Sequence, residues 1–451
     1  MLRLSLPVLA EQLLNMLVGF ADTWLAGNLL VGEQYLAAMT LNAYLLWLLG
    51  SLVSVVSIGT TALTARFIGA GNRAVASHAM NQSLVLGVAF GTALVLLGYL
   101  WADNLVYAIG LEADAAPLAI QYIYILLPAI PIFMLEQIAF AALRGAGDTV
   151  TGLAVMTVVN VINVLVSAGL VVGWGPLPAL GWSGVAIGTA TAYVAGGAIV
   201  LLLLMRGRAG LRIERRLLLP DWGMMRRLLR VGVPAGCDSA AVNLCQLWFL
   251  SIISQMGNLA AAAHGVAIRV EALAYLPGTA FQVAAATLAG QHLGARDERR
   301  AVRSVVMACL AGTIVMTCAG VAFYFLGEEL AGLFVSSAQE EVAVGAAPLL
   351  QIIAVAMPPF ALLMVLSGAL RGAGDTRWPL LVTFVGYLGV RIPLAYWLAW
   401  ETFFVPGTQL EVQGLGLGVR GAWFAMAADL TVRGVLIVGR FFHGGWKRIE
   451  V

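Results

Sequence analysis

The sequence predicts an all-α membrane protein: twelve transmembrane helices in two pseudo-symmetric six-helix lobes related by an axis along the membrane normal. Three observations carry this. The 451 residues are 61% hydrophobic and 11% charged, with a mean hydropathy of +0.93, where a soluble domain carries about 25% charged residues. Twelve apolar stretches reach the ~20 residues needed to cross a bilayer. Finally, Leu143-Arg144-Gly145-Ala146-Gly147-Asp148-Thr149 recurs letter for letter as Leu370-Arg371-Gly372-Ala373-Gly374-Asp375-Thr376, 227 residues further on. A duplicated unit follows, and duplicated units in membranes often enclose a pathway.

Along the chain the spans fall at 5–30, 37–65, 76–101, 117–142, 150–173, 181–205, 231–256, 260–289, 302–326, 343–369, 378–400 and 419–441. The first run, Leu4 to Leu30, is too long for the core of a cleavable signal peptide. Pro7 and Pro234 open corresponding spans, again 227 apart, and Ile68-Gly69-Ala70 answers Leu293-Gly294-Ala295 at an offset of 225. The repeat therefore covers an N-terminal lobe, 1–205, and a C-terminal lobe, 231–451, joined by the segment 206–230. An even number of helices returns each copy to its starting side. The copies are then a parallel repeat, with a cavity expected between them.

Charge sets the orientation. Arg66, Arg73, Arg144, the 206–230 linker, Arg296 to Arg303, Arg371, Arg377, Arg440, Lys447 and Arg448 fall on one side of the spans. The opposite loops carry Glu33, Asp103, Glu112, Asp114, Glu328, Glu329, Glu340, Glu341, Glu401 and Glu411 against Arg420. Positive charge stays cytoplasmic. Both termini are thus expected inside a bacterial-type cytoplasmic (inner) membrane. The linker, with eight arginines interleaved with Leu and Trp222, is expected to lie on the inner surface as an amphipathic segment. The same asymmetry accounts for its charge without any nucleic acid. Cys237, Cys245, Cys309 and Cys318 sit in apolar runs without Cys-x-x-Cys spacing and read as small core residues, and the four histidines are scattered. Gly87/Gly91 and Gly184/Gly188 have helix-contact spacing. Gly416-x-Gly418-x-x-Gly421 lacks the βαβ setting of a dinucleotide site and reads as a loop.

The repeated heptad falls between spans four and five and between ten and eleven. Its glycines suit a turn needing positive φ, Asp or Thr can cap the next helix, and the Arg is a topological anchor. It reads as a cytoplasmic connector, with a gating role at the lobe interface as the alternative.

A charge at the bilayer centre costs at least ~2.5–3.5 kcal/mol on insertion scales, so polar residues inside the spans are the functional signal. In the first helix Glu11, Asn15 and Asp22 fall within an arc of about 40°. Thr157, Asn160, Asn163 and Ser167 share a face of the fifth helix, and Thr189 and Thr191 lie in the sixth. These oxygens could hold a cation or bond Asp22; the bland alternative is polar glue between helices. The second lobe differs. Asp238, Asn243 and Gln246 lie in its first helix, and Phe249 stands where the offset places Asp22. Arg269 and Glu271 follow in the eighth helix, Arg391 in the eleventh, and Asp429 and Arg433, spaced to pair, in the twelfth. Structural ion pairing competes here with a role in the substrate cavity, for which Glu271 is the first choice.

The chain resembles the multidrug and toxic compound extrusion (MATE) transporters of the multidrug/oligosaccharidyl-lipid/polysaccharide exporter superfamily. The resemblance rests on Leu6-Pro7, on Gly19-Phe20-Ala21-Asp22-Thr23-Trp24-Leu25-Ala26-Gly27, on both heptads, on Pro277-Gly278 through Gly290-Gln291-x-Leu293-Gly294-Ala295, and on Gly421-Ala422-Trp423. It implies a cofactor-free, cation-coupled antiporter of alternating access, acting on hydrophobic, often cationic compounds. Asp22 matches the family's ion-binding acid, Asn163 its fifth-helix asparagine and Thr189 its sixth-helix threonine. Ser167 replaces a more usual Asn or Asp, which favours H+ over Na+, although Asp22, Asn163 and Thr189 could still hold Na+. Asp22, Asn163, Ser167 and Thr189, together with Asn160 from the polar face of the fifth helix, form the expected ion-coupling set. Glu271, Asp238, Asn243, Arg391 and Asp429 line the substrate cavity or a second polar cluster. The expected partners are small-molecule substrates and membrane lipids, with the chain a monomer. A lipid-linked precursor flippase using Arg269 and Arg391 is the first rival, and a sensor or channel a distant one. No hydrolase or zinc-protease motif points to an intramembrane enzyme.

Overall fold

A computed structural model describes residues 1–30, 32–108, 114–335, 340–404 and 411–449. Among them are twelve helices long and apolar enough to cross a membrane. They are α1 Leu2–Leu29, α2 Glu33–Gly69, α3 Arg73–Ala108, α4 Ala116–Ala146, α5 Val150–Val172 and α6 Trp182–Met205, then α7 Trp222–Ser254, α8 Asn258–Gly294, α9 Glu298–Phe325, α10 Glu340–Gly372, α11 Arg377–Ala399 and α12 Gly418–His443. The expected all-α membrane fold is therefore present. Most helices run longer than the apolar stretch that announces them, because their polar ends continue the same hydrogen bonding beyond the bilayer. Glu112, counted among the acidic loop residues, lies outside the described residues.

The duplication extends to helix boundaries. The starts of α8 and α9 follow those of α2 and α3 by 225 residues, and α11 follows α5 by 227. The two heptads fold alike. Gly147 and Gly374 adopt φ of 88° and 92°, the left-handed conformation that glycine reaches without a Cβ clash. Each closes its helix in the same pattern: Gly147 N–H donates to Arg144 O at 3.0 Å and Asp148 N–H to Leu143 O at 2.9 Å. The second copy repeats this with Gly374 to Arg371 at 3.0 Å and Asp375 to Leu370 at 2.8 Å. This is the paired C-terminal cap that satisfies orphan helix carbonyls. Asp148 then accepts from Thr151 N–H at 3.1 Å and from its hydroxyl at 2.8 Å, capping α5 as its residue type suggests.

The described residues form two compact units, Leu2–Gly236 with Gly294–Arg296, and Cys237–Leu293 with Asp297–Glu450. In the first, α4, α5 and α6 close over Ala139, Phe140, Leu143, Val155, Met156, Val159, Ala192, Val200 and Leu204. The expected glycine contacts are real. A Cβ on Gly184 would stand 2.7 Å from the Leu170 carbonyl carbon, and one on Gly188 would stand 2.6 Å from Ser167 N, so α6 lies directly on α5. Gly91 likewise admits Pro131 of α4, at 2.8 Å. In the second unit α9, α10 and α12 enclose Met316, Leu349, Ile353, Met357, Ala361, Trp423 and Ile437. Pro128 stands in a 3-10 turn inside α4, and a π-helical turn, Tyr387–Arg391, precedes Pro393 in α11. A two-stranded antiparallel hairpin, Thr402–Phe404 with Glu411–Gln413, precedes α12; Gly418 opens that helix outside any βαβ unit.

The basic linker is a strap tied to α3. Buried Asn81 donates to Arg212 O and accepts from Glu214 N–H, and buried Gln82 donates to Leu217 O and Leu219 O and accepts from Asp221 N–H. Residues 222–230 already belong to α7, with Trp222 exposed at its start. Cys245 and Cys309 are buried, but Cys237 and Cys318 are exposed rather than core: an apolar helix in a membrane protein need not turn its small residues inward.

Candidate functional site

Asp22 is buried on α1 and bonded from three other helices. Asn163 Nδ2 of α5 donates to Oδ1 at 3.1 Å, Thr189 Oγ1 of α6 lies 2.5 Å from Oδ2, and the Tyr122 hydroxyl of α4 donates to Oδ2 at 3.3 Å. Asn163 Nδ2 also reaches Thr189 Oγ1 at 3.1 Å, and Thr189 Oγ1 stands 3.2 Å from Val185 O. A threonine hydroxyl has one proton and two lone pairs. Thr189 can therefore give its proton to a carboxylate, or accept from a carboxylic acid and give its own to Val185. The cluster can therefore hydrogen-bond both forms of Asp22, the ionised one more strongly. A hydroxyl-to-oxygen separation of 2.5 Å is at the short end of the charge-assisted range. Asn163 Oδ1 is buried without a partner.

Four of the five residues expected around the ion are buried here, and three meet. Ser167 is one turn further along α5, its hydroxyl directed at Val185 O at 3.4 Å. Asn160 does not reach Asp22. It is half-buried and its amide bonds Met156 O at 2.9 Å on its own helix, the local alternative open to any helical asparagine. Asn15, Thr157 and Thr191 are exposed. Tyr122 was missed, since a tyrosine in an apolar helix carries no positional signal.

Two buried ion pairs repeat by symmetry. Glu11 of α1 faces Arg144 of the first heptad at 3.5 Å, and Asp238 of α7 pairs with Arg371 of the second. Glu11 and Asp238 are 227 residues apart, as are the arginines. Asp238 thus belongs to the anchoring of the heptad turn and not to a cluster with Arg391, and the repeat offset already contained that answer. The heptad aspartates follow suit: Asp148 pairs with Arg208, just past α6, at 2.7 Å, and Asp375 with Arg440, near the end of α12, at 2.8 Å.

The second unit places aromatic and cationic groups where the first has its acid. Arg391 and Arg433 both hold buried Asp429, at 2.8 and 2.6 Å. Arg391 also donates to Gln246 Oε1 at 2.9 Å. Its guanidinium lies 4.5 Å from the Tyr387 ring centroid and 5.5 Å from that of Phe249, distances at which cation–π attraction acts. The π-helical turn presents both Tyr387 and Arg391 to this cluster. His264 accepts from Trp423 Nε1 at 3.2 Å and meets Phe249 edge-on. Glu271 is half-buried, within electrostatic reach of Arg391. Arg269 is exposed, and Asn243 is buried and partnered. The predicted pair Asp429–Arg433 is present; its sharing with Arg391, across 38 residues of chain, was not foreseen.

One buried carboxylate escaped the sequence reading. Glu136 of α4 is wholly buried, and neither of its oxygens has a hydrogen-bond partner.

Two copies of a six-helix unit, apolar outside and carrying buried charge at membrane depth, define a multi-pass membrane protein of the duplicated-transporter class. The chain belongs to the MatE family, whose model matches residues 7–168 and again 234–397. The two matches begin 227 residues apart. Over its full length the chain is 28% identical to a probable multidrug resistance protein NorM of Thermotoga maritima, covering 93% of that protein. It is 24% identical to a multidrug resistance protein MdtK of Yersinia pseudotuberculosis over 98% of this chain and 94% of that one. Its fold matches a multidrug resistance MATE family transporter of the MOP superfamily, solved outward-facing, with a TM-score of 0.88 at 22% identity, covering 99% of this chain and 96% of that one. A MOP superfamily transporter from Pyrococcus furiosus matches with a TM-score of 0.87 at 22% identity, with the same coverage. The protein is a membrane transporter and not an enzyme.

Proposed function

We propose that the transporter exports hydrophobic, often cationic drugs or toxic compounds in exchange for inward-moving cations, protons in preference to sodium, by alternating access. The observation that carries this reading is Asp22, a buried acid held only by donors that tolerate both of its protonation states. When Asp22 is ionised, Asn163, Thr189 and Tyr122 draw α1, α4, α5 and α6 together. When it takes a proton, the charge-assisted bonds, each about twice as strong as neutral ones, weaken, and the first lobe repacks. Differential affinity for cargo in the two packings couples the fluxes. A charge moving inward gains ~2.3 kcal/mol per 100 mV. The multidrug resistance names of the NorM and MdtK relatives support the cargo class, with Glu271 and the Tyr387 and Phe249 faces as candidate cargo contacts. Arginine placement supports an inner-membrane location with both termini cytoplasmic, and the chain acts as a monomer among membrane lipids.

Sodium is the second reading, favoured by one observation: the unpartnered Asn163 Oδ1 beside Asp22 is a spare oxygen ligand. The flippase reading asks for free basic groups in the path. Arg391 is taken up by Asp429 and Gln246, which weakens it. An Asp22→Asn variant should reach the membrane at wild-type level yet lose drug resistance in cells; resistance equal to wild type refutes the assignment.

A further inference from the structure

Glu136 has no structural task that a glutamate performs better than a leucine. It is wholly buried, its two carboxyl oxygens have no hydrogen-bond partner, and no ion pair involves it among the described residues. An isolated ionised carboxylate in such surroundings is so costly that the group takes up a proton instead, and well-packed apolar side chains commonly match or exceed even a paired buried charge in stability. Its surroundings are built to receive it: Gly196 of α6 leaves the room that one Glu136 oxygen occupies, beside Val159 of α5.

Its depth follows from the helices around it. On α6, Gly196 touches Glu136 and Thr189 touches Asp22; seven residues place the two on one face about 10 Å apart. On α5, Gly152 touches Glu11 and Asn163 touches Asp22; eleven residues are about 16 Å. Eleven residues likewise separate Glu11 from Asp22 on one face of α1. Glu136 therefore lies between Asp22 and Glu11, nearer Glu11. Tyr193 falls between Thr189 and Gly196 on the same face of α6, half-buried against Phe133. Glu11 has one buried unpartnered oxygen and faces Arg144 at the heptad end.

We propose that Glu136 is a second proton-binding site of the first lobe and, with Glu11, forms the leg of the proton's route between Asp22 and the heptad-bearing end. Glu136, protonated at rest, gives its proton to the Glu11 carboxylate, which releases Arg144, and from Glu11 the proton passes to water at that end. The proton leaving Asp22 then passes by way of the Tyr193 hydroxyl to the vacated Glu136 carboxylate and restores its neutral form. The route rests on the reading of Asp22 as the proton-coupling acid. The site itself does not.

The test separates the two. Infrared spectra of the full-length protein in lipid at neutral pH are taken for wild type and Glu136→Gln, and again for both in an Asp22→Asn background. A protonated-carboxyl carbonyl band lost with Glu136→Gln in both backgrounds is the expected result; its absence from the wild type overturns the site, whatever Asp22 does. In proteoliposomes, Glu136→Gln should slow proton-driven efflux by about a hundredfold, the size expected for removing a proton-transfer group. Drug binding should change little, and Glu136→Asp should restore much of the rate. Wild-type efflux and pH profile in Glu136→Gln overturn the route even if the band is found. Should Glu136→Gln misfold, Glu136→Asp carries the infrared arm: the band must shift but persist.

Discussion

Asp22 shows how little a single side chain needs in order to be switchable. Its partners are neutral donors, and one of them, Thr189, can reverse its role between the carboxylate and Val185 O. Thr189→Val removes that reversal while keeping shape. Efflux should fall well below wild type while the thermal midpoint of the solubilised protein moves only by the equivalent of about 1 kcal/mol, the typical worth of one hydrogen bond; unchanged efflux would deny Thr189 its part. Outside the membrane, Asp148 makes a different prediction. Burial in its turn pushes the carboxyl up, but the Thr151 hydroxyl and N–H and the Arg208 guanidinium outweigh it and hold it below the ordinary carboxylate value. A depressed acid stabilises above its unfolded value, about 3.9, and loses that contribution as pH falls through the folded one. Asp148→Asn should therefore lower the thermal midpoint at pH 7, and the gap to wild type should close in acid. A gap that stays constant with pH contradicts this account.

At the scale of elements, the heptad is a complete helix terminus used twice. Its glycine stands at φ near 90°, its arginine reaches back to an acid on the lobe's first helix, and its aspartate ties to an arginine near the end of the last. Gly147→Ala and Gly374→Ala should each cost roughly 1–2 kcal/mol, the penalty of a left-handed L-residue, visible as similar drops in thermal midpoint. Asp238→Ala strands Arg371 and should cost about 3–5 kcal/mol, part of it recovered in the Asp238→Ala/Arg371→Ala double variant. The turn was legible in the sequence because glycine chemistry is local. Its partners were not read, because an ion pair between the first and fourth helices of a lobe leaves no local trace. Only the offset that maps Glu11 onto Asp238 and Arg144 onto Arg371 records it.

For the whole molecule, the twelve spans, the duplication and the trio Asp22, Asn163 and Thr189 could be read before any coordinates, since hydropathy and intramembrane charge speak plainly. Glu136 could have been: it is a lone acid in an apolar run with Ile132 and Phe140 a turn to either side and no base to neutralise it. Asn160 could not, because the choice between its own backbone and a neighbour depends on packing. The copies kept their scaffold and diverged in their interiors. One holds the acid Asp22 among neutral donors. The other puts Phe249 at the matching position, against the Arg391 guanidinium. On the proposed reading, ion coupling belongs to the first lobe. The direct test is drug efflux from proteoliposomes carrying wild type or Asp22→Asn, under an imposed proton gradient and, separately, a sodium gradient. The account predicts that wild-type efflux accelerates when protons flow against the drug, responds little to sodium, and loses its gradient dependence in Asp22→Asn. Gradient-driven efflux at the wild-type rate in Asp22→Asn would contradict it.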